Sequence, residues 1–413
     1  MSVPDAGGES SSSPGQYGRR IKPPRRGLLL LNPAVMYAMT WMFVLLLYSF
    51  ELSNLLDPLR LATIILVAGS SLAFLGGWLF ESLLSRHGIA HMRLDLNSIR
   101  SQLGSGALGK RLRIAWRIFG AGILFEIIFF RGAPGLGLIG IGPEILYTDF
   151  GIPGLHGLFN SMFYACCVIQ LARILLGVSK GKAFLICVSL AYPVLGMSRQ
   201  VLISLLLQYL FVYFSIKRPS AAVFARAGII FVTIFLLFGY LGDIRSGREH
   251  IIALASPSFE YPDWLPSAFI WFYIYLCTPL NNVNFNIDIV PNGLPLETAG
   301  TLIPSFARDA FFNAAGGSKE WALVTDSFNV SSLLQSLLTD FGIVGTITFT
   351  LICGILFSRL MRRSATSPTA FFTTIILLHG IALSFSANLL FHLVFMFEIF
   401  TVLWIVAKRR RRE

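Results

Sequence analysis

The feature that most constrains this chain is a succession of apolar runs about 20 residues long, each bounded by a short cluster of Lys and Arg. Coiled as a helix at ~1.5 Å per residue, such a run matches the ~30 Å hydrocarbon core of a bilayer. Lipid offers no partner to an exposed N–H or C=O, so these runs must satisfy their backbones internally, as helices. The composition agrees, with 55% hydrophobic and only 13% charged residues, where a soluble domain carries about 25% charged. An ordinary soluble protein is thereby excluded. The net charge of +12 would point to nucleic acid in a soluble chain, but here it reports orientation, and no nucleic-acid partner is expected.

The expected fold class is therefore all-α, a polytopic integral membrane protein with about ten transmembrane helices. Windows of about 20 residues place them near 30–50, 61–84, 114–130, 157–177, 183–198, 200–216, 222–241, 341–361, 370–387 and 389–407. With that count, Arg19 to Arg26, Arg86 to Arg113, Lys180 and Lys182, Lys217 and Arg218, Arg359 to Arg363, and Lys408 to Arg412 all fall on one side. The positive-inside rule makes this side, and both termini, cytoplasmic. The opposite side holds Arg60, Arg131, Arg199, Arg245, Arg248, Arg308 and Lys319 against fourteen acidic residues from Glu51 to Asp340.

The organisation that follows is a disordered tail over 1–27, helices one to seven over 28–241, a large external loop over 242–340, helices eight to ten over 341–407, and a basic tail over 408–413. The tail of Ser, Gly, Pro and Arg cannot bury apolar surface, and no A-x-A cleavage signal follows it. The basic tail reads as an anchor at the anionic inner leaflet. The large loop contains an aromatic run, Trp264 to Leu280, too short to span and suited to a re-entrant or surface-lying helix. Loops of this size are usually functional.

Cys166, Cys167, Cys187, Cys277 and Cys353 lie mostly inside apolar runs without C-x-x-C or Cys/His spacing, and read as small core hydrophobes. Asn282, Asn284, Asn286 and Asp288 resemble an oxygen-ligand loop, but lack the glycine and terminal glutamate of a calcium hand. Neither D-x-D nor H-E-x-x-H occurs, so no metal or other cofactor is expected.

The arginines on the external side are the candidates for chemistry. Spans five and six share the 34 residues from Ala183 to Ile216, where two passes need about 40. Their turn, Gly196-Met197-Ser198-Arg199-Gln200, is expected below the outer surface, where Arg199 needs an anionic partner. The plainer reading is a snorkelling Arg or one paired to an internal carboxylate. After span seven, Gly242-Asp243-Ile244-Arg245-Ser246-Gly247-Arg248-Glu249-His250 places two guanidinium forks and an imidazole together. Forks suit phosphate oxygens, and two suit a pyrophosphate. The plainer alternative is that Asp243 and Glu249 neutralise Arg245 and Arg248 on a solvated helix end. Arg308 is a further candidate, beside Asp309.

For the acid or base, His250 ranks first because it follows the Arg pair and imidazole titrates near neutrality. Asp326 and Glu297 are the alternatives, followed by Asp340, His156 and His392. Glu126, His379 and Glu398 lie within spans and are expected to make interhelical hydrogen bonds. Two stretches echo each other, Thr148-Asp149-Phe150-Gly151-Ile152 and Thr339-Asp340-Phe341-Gly342-Ile343. Each leads into an inward-running helix, with Thr or Asp expected as its N-cap.

Taken in order, Phe150-Gly151-Ile152-Pro153-Gly154-Leu155-His156, Gly196-Met197-Ser198-Arg199, Gly242-Asp243-Ile244-Arg245 and Tyr275-Leu276-Cys277-Thr278-Pro279-Leu280-Asn281 carry a family resemblance. So do Thr298-Ala299-Gly300-Thr301-Leu302-Ile303-Pro304 and Asn329-Val330-Ser331-Ser332-Leu333 followed by Asp340-Phe341-Gly342-Ile343-Val344-Gly345. With the single large external loop, the chain resembles the oligosaccharide repeat-unit polymerases, the Wzy-type O-antigen and exopolysaccharide polymerases of bacterial envelopes. The resemblance implies a GT-C-like fold in the bacterial inner membrane with the large loop periplasmic. It further implies transfer of a growing glycan from undecaprenyl pyrophosphate to the next lipid-linked unit, with a flippase and a chain-length co-polymerase as further partners. A ligase to another acceptor, and a transporter or flippase of lipid-linked sugars, are the competing readings. The second would show midplane charges and broken helices.

Overall fold

The computed structural model describes residues 31–85, 94–217, 220–315, 317, 321–325, 328, 330 and 332–407. Both tails, with Arg86, Arg93, Arg218, Lys319 and Asp326, lie outside them. In chain order the helices are α1 (Pro33–Tyr48), α2 (Leu61–Leu84), α3 (Leu96–Leu103), α4 (Gly106–Phe129), α5 (Pro134–Gly137), α6 (Leu155–Leu175), α7 (Lys182–Leu195) and α8 (Arg199–Ile216). They continue as α9 (Ala221–Ser246), α10 (Arg248–Ala255), α11 (Ala268–Phe285), α12 (Leu296–Gly300), α13 (Ser305–Ala314), α14 (Leu333–Arg363), α15 (Pro368–Ala382) and α16 (Leu393–Val406). Among the described residues there is no strand, only an isolated bridge between Ser53 and Pro257.

Four helices, α2, α6, α8 and α14, are long and apolar enough to cross a membrane, and α1, α7, α15, α16 and the first part of α9 are shorter apolar helices. On α2 the division of faces is plain. Leu66, Val67, Ser70, Phe74 and Gly77 are buried, whereas Leu61, Ile65, Leu72, Leu79 and Leu83 are exposed, Leu83 to 84%. An apolar outer face is costly in water and favourable against lipid, so the sequence is read as a membrane protein at the level of single helices.

Local signals set where the helices start. Asn32 accepts the Ala34 N–H at 2.9 Å and Pro33 opens α1, while Ser367 and Pro368 do the same for α15. Helices α2 and α14 then pack backbone to backbone. A Cβ on Gly354 would lie 2.2 Å from the Phe74 carbonyl oxygen, and one on Gly77 2.2 Å from that of Leu351. Only glycine permits that approach, the small-residue contact that brings helices together in lipid. Two hydrophobic cores result. One gathers α4, α6, α8, α15 and α16 around Phe163, Phe371 and Phe372. The other gathers α1, α2, α11 and α14 around Tyr37, Trp41 and Phe74.

The connectors collect at two ends. At the basic end the buried Glu81 accepts from Arg359 Nε at 3.0 Å and from Arg362. Arg111 donates to the carbonyls of Trp404 and Ala407 at 2.9 and 2.7 Å, and Asp95 N–H donates to Ala365 O at 2.8 Å. The Arg residues of the last turn of α14 also sit where the helix dipole is negative.

The opposite end is loop-rich and is held by asparagines of α11. Asn281 and Asn284, one turn apart, bind the α1–α2 connector through Leu55 O, Asp57 N, Pro58 O and Arg60 N. Asn282 and Asn286, on the adjacent face, bind Ala322, Val324, Phe328 and Val330. The Asn alternation is thus a backbone clamp, in which each amide supplies a donor and an acceptor to a chain lacking a helix or sheet partner. Asp288 pairs with Arg60 at 2.8 Å.

The expected N-caps at the two Thr-Asp-Phe-Gly stretches are overturned. Helix α6 starts at Leu155 after Gly154, not at Asp149. Asp340 lies inside α14, whose Ser332 cap accepts from Gln335 N, and Gly342 at φ 67° breaks the helix just beyond. The Asp340 carboxylate instead accepts the N–H groups of Glu297 and Thr298 at 2.8 and 2.9 Å. It therefore caps α12, a different helix, because the break at Gly342 turns the first segment of α14 toward residues 292–298. Cys166, Cys167, Cys277 and Cys353 are buried, as core hydrophobes should be, whereas Cys187 is exposed on α7.

Candidate functional site

The loop-rich end is where α6, α8 and α16 begin, and α6 packs against both of the others. Three positive dipole ends therefore face the same end of the bundle. Arg199 is the first residue of α8, capped by Ser198 Oγ, which accepts Val201 N–H at 3.4 Å. The preceding Met197 adopts φ 51° to make the tight turn out of α7. Arg199 is exposed and close enough to α11 for its charge to bear on the Tyr275 phenol. The helix before this turn, α7, has 14 residues.

Arg245 sits in the last turn of α9; its side chain lies outside what is described. Gly247, at φ 81°, separates α9 from α10, so Arg248 opens a new helix and does not continue the first. The Arg248 guanidinium donates to the carbonyls of Pro262, Asp263 and Leu265 at 2.9, 3.2 and 3.3 Å and lies 5.8 Å from the Tyr261 ring centroid. Its ion pair is with the Asp263 carboxylate, itself fully exposed, which adds little. Asp243 accepts from Ser267 Oγ. Arg248 is thus engaged in holding residues 261–265 beside α10. His250 is exposed two residues along the same helix, and so points to a different face from Arg248.

Glu297 and Arg308 belong to a second part of the same end. Glu297 is buried on α12 above the Asp340 carboxylate. Arg308 on α13 donates to Gly300 O at 3.1 Å and Ile303 O at 3.3 Å, closing the turn between α12 and α13. That turn is joined to α16, because Thr301 Oγ1 donates to Phe391 O at 2.9 Å and Thr301 O accepts Leu393 N–H at 3.1 Å. His392 caps α16, its Nδ1 accepting Val394 N–H at 3.4 Å.

The start of α6 completes this second part. Phe306 of α13 packs on Gly154, and Gly157 faces Val394 of α16. Between them, His156 Nδ1 lies 2.8 Å from Glu126 Oε2, and Glu126 Oε1 accepts Ile152 N–H at 3.0 Å. Glu126 is wholly buried, whereas the His156 side chain is 28% exposed. Each residue is visible in the sequence, but their pairing is not, since 30 positions separate them. The one available signal is that Glu126 lies a turn before the end of its apolar run, within reach of a connector.

The candidates therefore divide. Glu297, Arg308, His392 and His156 gather about the starts of α6 and α16, Arg199 stands at α8 beside α11, and Arg248 and His250 lie on α10. Among the described residues no three His, Cys, Asp or Glu side chains come together as a metal site. Comparison of the chain with family models, with curated proteins and with solved structures finds no match in any of the three.

Proposed function

We propose that the chain is a membrane glycosyltransferase that polymerises oligosaccharide repeat units carried on undecaprenyl pyrophosphate, at the periplasmic face of a bacterial inner membrane. Ten spans with both termini cytoplasmic are part of this reading. The observation that carries it is Arg199 at the N-terminus of α8, beside the starts of α6 and α16 at the loop-rich end. Helix N-termini and a guanidinium fork favour an anion of the pyrophosphate class. A leaving pyrophosphate gains charge as its bond to the sugar breaks, and fixed cations and dipoles at a low-dielectric mouth stabilise that charge. Arg245, Arg248 and Arg308 are its further candidates. In the described geometry the second and third of these hold loops, so a direct contact from either requires its carbonyl partners to be given up.

One observation favours the transport reading. Gln208 Nε2 contacts Glu398 Oε2 and His379 Nδ1, each at 3.1 Å, deep between α8, α15 and α16, and α14 is broken at Gly342. Buried ionisable groups and discontinuous helices recur in transporters. The two readings, and the ligase, separate in a strain lacking the gene. Polymerase loss leaves single repeat units on the mature acceptor, ligase loss leaves the acceptor uncapped, and flippase loss leaves lipid-linked units facing the cytoplasm. The first result is expected, and either of the others replaces the proposal.

A further inference from the structure

We propose that His156 is the general base of the transfer and that Glu126 is its positioning residue, an assignment that rests on the polymerase reading. Glu126 offers both carboxylate oxygens inside the protein, one to Ile152 N–H at 3.0 Å and one to His156 Nδ1 at 2.8 Å. An ionised carboxylate only accepts, so the network assigns the proton to Nδ1 and leaves the lone pair on Nε2. A histidine fixed in that tautomer by a buried carboxylate is the arrangement that takes a proton from a hydroxyl and then shares the resulting positive charge.

The neighbourhood holds the ring rigidly. Gly151, at φ 107°, lets the backbone pass so close that a Cβ there would lie 2.5 Å from His156 Cγ. The Phe150 ring stands edge-on, 5.6 Å away between centroids. The Glu126 side chain is sealed while the His156 side chain is 28% exposed, so of the two only the imidazole can meet an acceptor. His392, which caps α16, is assigned the opposite tautomer by its own hydrogen bond. Its Nδ1 lone pair is spent on Val394 N–H, which leaves it a donor.

In the step, the acceptor hydroxyl oxygen bonds to the anomeric carbon of the donor sugar, and the bond from that carbon to the pyrophosphate oxygen breaks. The electron pair leaves on the pyrophosphate. The hydroxyl proton passes to His156 Nε2, giving an imidazolium beside the Glu126 carboxylate, and is then released to water.

The test is polymerisation by the purified full chain in phospholipid vesicles, using the lipid-linked unit extracted from the deletion strain. His156→Gln, whose amide can still donate to Glu126, guards against a folding effect in His156→Ala. Both are expected to lose about 100-fold or more in kcat, and added imidazole is expected to restore part of the rate to His156→Ala. Glu126→Gln should lower kcat about tenfold with KM for the lipid-linked unit unchanged, a split that a merely structural strut does not produce. Wild-type kcat in His156→Gln, or losses without imidazole rescue and with KM rising in Glu126→Gln, would overturn the assignment while leaving the polymerase reading in place. Absence of polymer from the wild-type chain would overturn both.

Discussion

Among single residues, the arginines differ in where they stand: two hold loop carbonyls and one opens a helix. Arg248 and Arg308 spend their donors on carbonyls of Pro262, Leu265, Gly300 and Ile303, an arrangement that satisfies orphaned loop backbone. Sequence marks both as external cations, but the carbonyls that claim them come from irregular segments whose path has no periodicity to read. The sequence places Arg199 at the turn between two short apolar runs, and the helices α7 and α8 do meet there. Replacing Arg199 with Lys keeps the charge and removes the fork. Polymer length and amount in cells producing equal protein should fall markedly for Arg199→Lys, and about as far for Arg199→Ala. Wild-type polymer from Arg199→Ala would make Arg199 a snorkelling surface residue.

At the level of elements, apolar windows locate α2, α6 and α8 closely because their lengths are set by hydrophobic runs with clear caps or charges at the ends. They miss the opening of α14. Gln335, Ser336, Thr339 and Asp340 are polar but buried, since that segment packs against the irregular chain over 292–298. The Asn-rich end of α11 likewise reads as ligand chemistry in one dimension and as a clamp in three. The α2–α14 contact gives the sharpest structural expectation. Gly354→Leu introduces atoms where Phe74 O stands 2.2 Å from the ideal Cβ, and overpacking costs about 1–3 kcal/mol even where neighbours yield. The variant should lower the thermal midpoint of the detergent-solubilised protein by several degrees, whereas Gly120→Leu, with nothing within 4 Å of its ideal Cβ, should leave it near wild type. Equal midpoints for the two would contradict the close packing.

For the whole molecule, the connectors meet in two sets. Glu81, Arg111, Asp95 and Arg362 tie one set together, and Asn281, Asn284 and Thr301 the other. What sequence could not supply is which helix lies beside which, since an all-round apolar helix has no preferred face to announce its neighbour. The ten-span proposal puts Ser105 in the cytoplasm and Glu260 outside. Single cysteines at those two positions, in a chain whose native cysteines including the exposed Cys187 are replaced by Ser, should label from opposite sides of intact cells. Labelling of both from outside would break the topology.

The proposed function stands on one step, a glycosidic bond formed at the loop-rich end with pyrophosphate as leaving group. It is followed most directly with the purified chain in vesicles supplied with the lipid-linked repeat unit. The expected product is a ladder of glycans at whole multiples of the unit, with one free undecaprenyl pyrophosphate appearing for each linkage made. Units that stay single, whether left in place or moved across the bilayer, would contradict it.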